Sequence, residues 1–243
     1  MTHLRRSSER GRADFGWLDS HHTFSFGNYF NSRFRGFSDL LVINDDRVTG
    51  GAGFPRHPHR DMEIISYVVS GELSHKDTLG NGSTIRPGDV QLMGAGRGIA
   101  HSEYNSGDSQ LRFLQIWIQP VHAGTEPRYA ERHFDFDPQK PVQLVVSPDG
   151  ADDSLRIDQD ARIYRARFGE AKDHTHNVPE GRYAWLQVVN GSVTLTAGDT
   201  NLSLSEGDGV AFDHAGQVEV RATAGAEYLW FDLRGKGPNP WQS

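Results

Sequence analysis

Cysteine is absent from the 243 residues, which removes disulfides, thiolate zinc sites, iron–sulfur clusters and cysteine nucleophiles from consideration. Any metal held by this chain is held by nitrogen and oxygen. No apolar run is long enough to span a bilayer, and the opening M-T-H-L-R-R-S-S-E-R-G-R lacks the apolar core of a signal peptide. A cytoplasmic protein with no membrane partner is expected. An excess of basic charge is also missing. With 32 acidic against 25 basic residues, a formal net charge of −7, direct nucleic-acid binding is not expected. The arginine-rich first twelve residues are a local exception, read as a solvated tail or the flank of a first strand, because neither aromatic interleaving nor a basic helix accompanies them.

What the chain does have is punctuation. Its 27 glycines and 11 prolines separate short apolar runs, which reads as many strands and turns rather than long helices. In residues 14–30, Phe24 and Phe26 alternate with polar or small neighbours, which predicts a strand with one buried face, and His21 and His22 are read as polar residues at its start. Leu40–Val48, two strands over 64–77 that turn near Gly71, a hairpin at the Asn81-Gly82 signal, two extended pieces around Pro87-Gly88-Asp89 and the alternating run 111–118 complete a first barrel. Residues 121–141 show no sustained period and are expected to link this unit, 1–120, to a second, 142–243.

The second unit repeats the first. V-V-N-G-S-V-T-L around Gly191 parallels Y-V-V-S-G-E-L around Gly71, and the Gly207-Asp208 turn parallels Gly88-Asp89. Seventeen residues separate Gly71 from Gly88 and sixteen separate Gly191 from Gly207. A duplicated all-β barrel explains the length better than one domain.

Chemistry concentrates in the first copy. Alternation along an extended chain puts His57 and His59 of H-P-H on one face, and likewise His101 and Glu103 of H-S-E. Pro58 biases His57 toward extended geometry, and Gly94, Gly96 and Gly98 permit a tight turn before the second pair. If the two pairs face each other, three imidazoles and a carboxylate form a ligand set for Fe(II), Mn, Co, Ni, Cu or Zn, with up to two octahedral positions left open. Glu63 has the same parity as His57 and His59, so in an unbroken strand it is a competing ligand or supports the ligands from behind. Glu103 ranks ahead of it because it stands two residues from a histidine on its own strand. In the second copy His174, His176 and His214 allow a partial site, although a surface pair accounts for them as well. Phe54, Met93 and Ile99 are candidates to line a pocket near the ligands.

The segments H-P-H-R-D-M-E and G-A-G-R-G-I-A-H-S-E, with the opening G-W-L-D-S-H-H-T-F-S-F-G-N-Y-F, resemble the cupins, and within them the pirins and bacterial pirin-like proteins. The resemblance is strong over the first 120 residues. It implies two tandem cupin barrels, of the double-stranded β-helix or jelly-roll type, with one metal on His57, His59, His101 and Glu103. Fe(II) is the expected ion. It also implies cleavage of a flavonol such as quercetin with O₂ and release of carbon monoxide, with Glu103 or Glu63 taking the substrate hydroxyl proton. Asp61 departs from the family pattern, in which glycine is expected, and the second H-x-H is unexpected. Two rival readings keep the same ligands: a metal-dependent module that binds a protein partner, and a sugar isomerase or epimerase that needs no O₂. A monomer acting on a small aromatic substrate is the leading expectation.

Overall fold

A computed structural model describes residues 3–235. The strands of the first half are β1 (His3–Arg5), β2 (Gly11–Asp14), β3 (Leu18–His22), β4 (Leu40–Val48), β5 (Gly53–His59) and β6 (Glu63–Ser70). They continue as β7 (Leu73–Asp77), β8 (Gly82–Ile85), β9 (Asp89–Gly94), β10 (Ile99–Tyr104), β11 (Leu111–Ile118) and β12 (Arg128–His133). The second half contributes β13 (Val142–Ser147), β14 (Leu155–Arg156), β15 (Arg162–Arg167), β16 (Lys172–Val178) and β17 (Arg182–Asn190). It ends with β18 (Ser192–Ala197), β19 (Thr200–Ser205), β20 (Gly209–Phe212), β21 (Gly216–Ala222) and β22 (Glu227–Arg234). Among the described residues no helix is long and apolar enough to cross a membrane.

These strands build two barrels of matching design. In the first, a seven-stranded sheet ordered β12-β9-β6-β11-β4-β3-β2 faces a four-stranded sheet ordered β5-β10-β7-β8. In the second, β1-β20-β17-β22-β15-β13-β14 faces β16-β21-β18-β19. The repeated glycines mark equivalent hairpins. Gly71 has φ 79° and Gly191 φ 70°, and a Cβ on either would stand 2.9 or 3.0 Å from the backbone of Leu111 or Ala226, so both turns need glycine.

Two strands depart from the expected boundaries, and one of them crosses between the halves. β12, inside the stretch expected to be a linker, pairs with β9 of the first barrel from Arg128 opposite Gly94 to His133 opposite Asp89. β1 pairs with β20 of the second barrel. The arginine-rich start is therefore no solvated tail: Arg5 is buried, with its guanidinium donating to Thr23 O at 3.0 Å and Tyr29 Oη at 2.7 Å. The aromatic stretch is not a strand either. β3 ends at His22, and the Phe26–Tyr29 bridge closes a loop that carries Phe24 against Trp185 of the second barrel, ring centres 5.0 Å apart.

The two seven-stranded sheets pack through their outer faces. Ile43, Ile65, Leu92, Leu114, Ile116 and Ile118 join Trp185, Val189, Leu229 and Phe231 in one core. Their strands are buried on both faces, which is why L-R-F-L-Q-I-W-I is nearly continuously apolar. Arg112 sits in this interface and holds Asp45 with two hydrogen bonds, Nε to Oδ1 at 2.9 Å and Nη2 to Oδ2 at 3.0 Å. It also donates to Val189 O at 2.9 Å and Asn190 Oδ1 at 3.0 Å, tying the second barrel to the first.

Candidate metal centre

The irregular pairing of β5 with β10 sets His57 directly opposite His101 and His59 opposite Ile99. The donor atoms of His57, His59 and His101 all lie within 4.8 Å of one another, a spacing one divalent ion can bridge with imidazole nitrogens. Two of the rings are aimed by hydrogen-bond partners. The Nδ1 of His57 hydrogen-bonds the Pro55 carbonyl at 2.8 Å, which leaves Nε2 as the ligand atom. The Nδ1 of His101 lies 3.4 Å from the Nδ1 of His75, whose Nε2 is 3.1 Å from Asp77. Burial, and then the facing histidines, lowers His101 to about 3 and His59 to about 4, so both are neutral bases with a free lone pair at neutral pH. The residues present fit a metal.

Glu103 is buried in the same cavity. A bulge between His101 and Glu103 aligns it with Phe54, and its carboxylate accepts from Ser66 Oγ at 3.1 Å and from Gln115 Nε2 at 2.8 Å. Glu63 lies elsewhere. The chain turns at Asp61, whose φ of 49° breaks the alternation assumed from His59 onward, and the Glu63 carboxylate takes the guanidinium of Arg128 instead of reaching the cavity. Asp61 thus adopts a left-handed conformation that glycine takes without strain, and its Oδ1 accepts the Gly124 N–H at 2.6 Å.

His57 and His59 open onto a cavity of about 640 Å³ walled by Phe26, Phe54, Tyr29 and Trp117, while His101 is buried. Phe54 lines it as expected. Met93 and Ile99 do not, because they pack with Ile64 and Ala95 in a separate apolar cluster. The far wall is polar: Ser20 pairs with Asp46 and His22 with Asn44 across β3 and β4, and all four line the cavity. His22, read from the sequence as a strand-end residue, is buried with Nδ1 2.8 Å from Asn44 Oδ1. His75, Asp77, Ser66 and Gln115 also escaped the sequence reading. The alternation S-H-K-D at 74–77 was a usable signal for the first two, since His75 and Asp77 share the inward face of β7.

Burial pushes Asp46 up to about 7, assisted by the charges of Glu103 and Asp45 and opposed by a hydrogen bond from Ser20. An unfolded aspartate carboxyl titrates at 3.8, so the folded state keeps a proton that unfolding releases, and stability falls as pH rises between those values. Asp46→Asn therefore raises the melting temperature of the metal-free protein at pH 8, and the gain shrinks toward zero near pH 4. Thermal melts across that range check it.

Among the described residues of the second barrel, no comparable histidine group comes together. His75 and Leu195 each stand four residues past their turn glycine. Register then places Val220 where Glu103 stands, Val218 where His101 stands and His176 where His57 stands. His176 stacks on Trp230 with centres 4.1 Å apart and bonds Tyr228 Oη at 2.8 Å. His214 is exposed and pairs with Asp213, so the three histidines considered for a second site do not come together as a ligand set among the described residues.

Residues 3–118 match the Pirin family model, and residues 144–233 match that of the quercetinase C-terminal cupin domain. Over 234 residues, 96% of this chain and 99% of the relative, the chain is 45% identical to an Escherichia coli K12 protein named quercetin 2,3-dioxygenase.

The chain belongs to the pirin family.

Among solved pirins, the crystal structure of YhhW from E. coli matches with a TM-score of 0.91 at 44% identity, covering 97% of this chain and 99% of that one. A second structure of that bacterial pirin, in complex with nickel(II), matches with a TM-score of 0.90 at 43% identity, covering 97% and 100%. A Pasteurella multocida relative, 34% identical over 96% of this chain and all of its own length, bears the name putative quercetin 2,3-dioxygenase. The two-barrel pirin fold expected from the sequence is the fold observed.

Proposed function

We propose that this pirin is a metal-dependent dioxygenase that opens the central ring of a flavonol such as quercetin with O₂ and releases carbon monoxide. The observation that carries the reading is the histidine trio, two members of which line a cavity that also carries Phe26, Phe54 and Trp117. Likeness to the E. coli protein named quercetin 2,3-dioxygenase supports it.

His57, His59, His101 and Glu103 would hold the ion, Fe(II) being the expected one, although the E. coli relative is known with nickel(II). A divalent ion there supplies Lewis acidity and a template for an enolate and O₂. Phe26, Phe54 and Trp117 clamp the planar substrate and exclude water. Glu103 takes the proton of the 3-hydroxyl at a carboxylate oxygen, and Gln115 and Ser66 keep that carboxylate aimed. Loss of this proton makes the ring electron-rich enough to react with O₂. Both oxygen atoms enter the product, two ring carbon–carbon bonds break, and the carbon between them leaves as carbon monoxide.

Oxygen uptake by the iron-reconstituted protein with quercetin tests the reading. Consumption of one O₂ per carbon monoxide, absent from the metal-free protein, is expected. Tight metal binding without oxygen consumption would sink the flavonol assignment and favour a metal-dependent binding module.

A further inference from the structure

Two residues that line the cavity each carry a buried polar atom with no partner among the described residues: the acceptor Asp46 Oδ1 and the donor Trp117 Nε1–H. Buried polar atoms are ordinarily hydrogen-bonded, and leaving one unpaired is costly. Asp46 has no structural duty to offset this. Its chain neighbour Asp45 faces the other side of β4 and is held there by Arg112, whereas Asp46 is 4% exposed and takes only the hydrogen bond from Ser20.

The placement of Asp46 is specific. It stands on the seven-stranded sheet, while His57, His59 and His101 stand on the facing four-stranded sheet. A ligand attached to the metal at one end presents its other parts to the wall formed by Asp46, Asn44 and His22. The unpaired atoms are one acceptor and one donor, which suits neutral hydroxyl groups, since a hydroxyl both donates and accepts. A cation would satisfy the carboxylate and meet the indole N–H unfavourably. The rings of Phe26, Phe54 and Tyr29 along the same cavity call for a flat aromatic body to carry those hydroxyls.

We propose that Asp46 is a specificity residue that accepts a hydrogen bond from a ring hydroxyl other than the one at the metal, so that the cavity selects polyhydroxylated aromatics over bare ones. This rests on the flavonol reading and narrows its substrate class. A site built to hydrogen-bond a hydroxyl rejects the analogue lacking it, because the buried partner is then left unpaired.

The test uses zinc-loaded full-length protein, titrated in the absence of O₂ so that no turnover obscures binding, with quercetin and with 3-hydroxyflavone, which keeps the chelating group and lacks the other ring hydroxyls. Wild type is expected to bind quercetin about tenfold or more tightly than 3-hydroxyflavone. Asp46→Ala brings that ratio close to one, leaves 3-hydroxyflavone affinity unchanged and does not lower the melting temperature. Asp46→Asn, isosteric and retaining a weaker acceptor, gives an intermediate ratio and serves if the alanine variant fails to fold. A ratio unchanged in the variants, or a lower melting temperature with the ratio kept, overturns the assignment and makes Asp46 structural. Equal binding of both ligands by wild type overturns it while the flavonol reading stands. Binding of neither overturns both.

Discussion

His101→Ala drops the metal content from about one ion per chain to near zero after dialysis, and oxygen uptake with quercetin disappears with it. The effect is expected to be large because His101 is the buried member of the trio and faces His57 directly across the β5–β10 ladder. Loss of even a residue that merely orients a metal ligand costs roughly 10- to 100-fold in affinity, so loss of a ligand costs more. His176→Ala is the matched control. It deletes the equivalent of His57 in the second barrel, where Val218 and Val220 replace the other donors, and the metal content is expected to stay at one. Elemental analysis of the two purified variants decides the matter. Full metal retention by His101→Ala would remove the trio from the account.

The second large effect concerns stability. Arg112→Met is expected to lower the unfolding free energy by roughly 3 kcal/mol, the low end for breaking a buried pair, because Arg10 remains 3.5 Å from Asp45. Burial alone would raise the Asp45 carboxyl. Hydrogen bonding and charge from Arg112, with the charges of Arg10 and Arg47, overcome that and hold it below the usual range. A carboxyl depressed in this way contributes stability above its unfolded pKa and loses it as pH falls through the folded value. The same side chain also bonds Val189 and Asn190 of the second barrel. Urea unfolding at neutral pH, measured beside Arg112→Met/Asp45→Leu, checks both points. The double variant should recover only part of the loss, since it removes the stranded carboxylate but leaves the buried Arg10 without Asp45. A loss below about 1 kcal/mol would mean the pair is not a major tie between the barrels.

What could be read from the sequence follows from how local each signal is. Gly71 and Gly191 announce their turns because positive φ beside another strand leaves one residue type. His57, His59 and His101 could be grouped because alternation and antiparallel pairing are enough to bring such pairs together. Glu63 was misplaced for the same reason, since parity counts only along unbroken strand, and Asp61 turns the chain. The linker and tail readings failed on long-range pairing. Neither β12 nor β1 has a strong apolar pattern, and each becomes a strand only because a distant sheet edge receives it. Asp46 looked like half of an Asp-Asp turn signal. Only the fold separates Asp45, facing Arg112, from Asp46, facing the cavity.

The most direct test of the central claim is an anomalous difference map from crystals of the metal-loaded protein, recorded at the absorption edge of the bound ion. One peak is predicted, within ligand distance of His57, His59 and His101 in the first barrel, with none beside His174 and His176. A dominant peak in the second barrel, or none at the trio in protein shown to carry one metal per chain, would contradict the account.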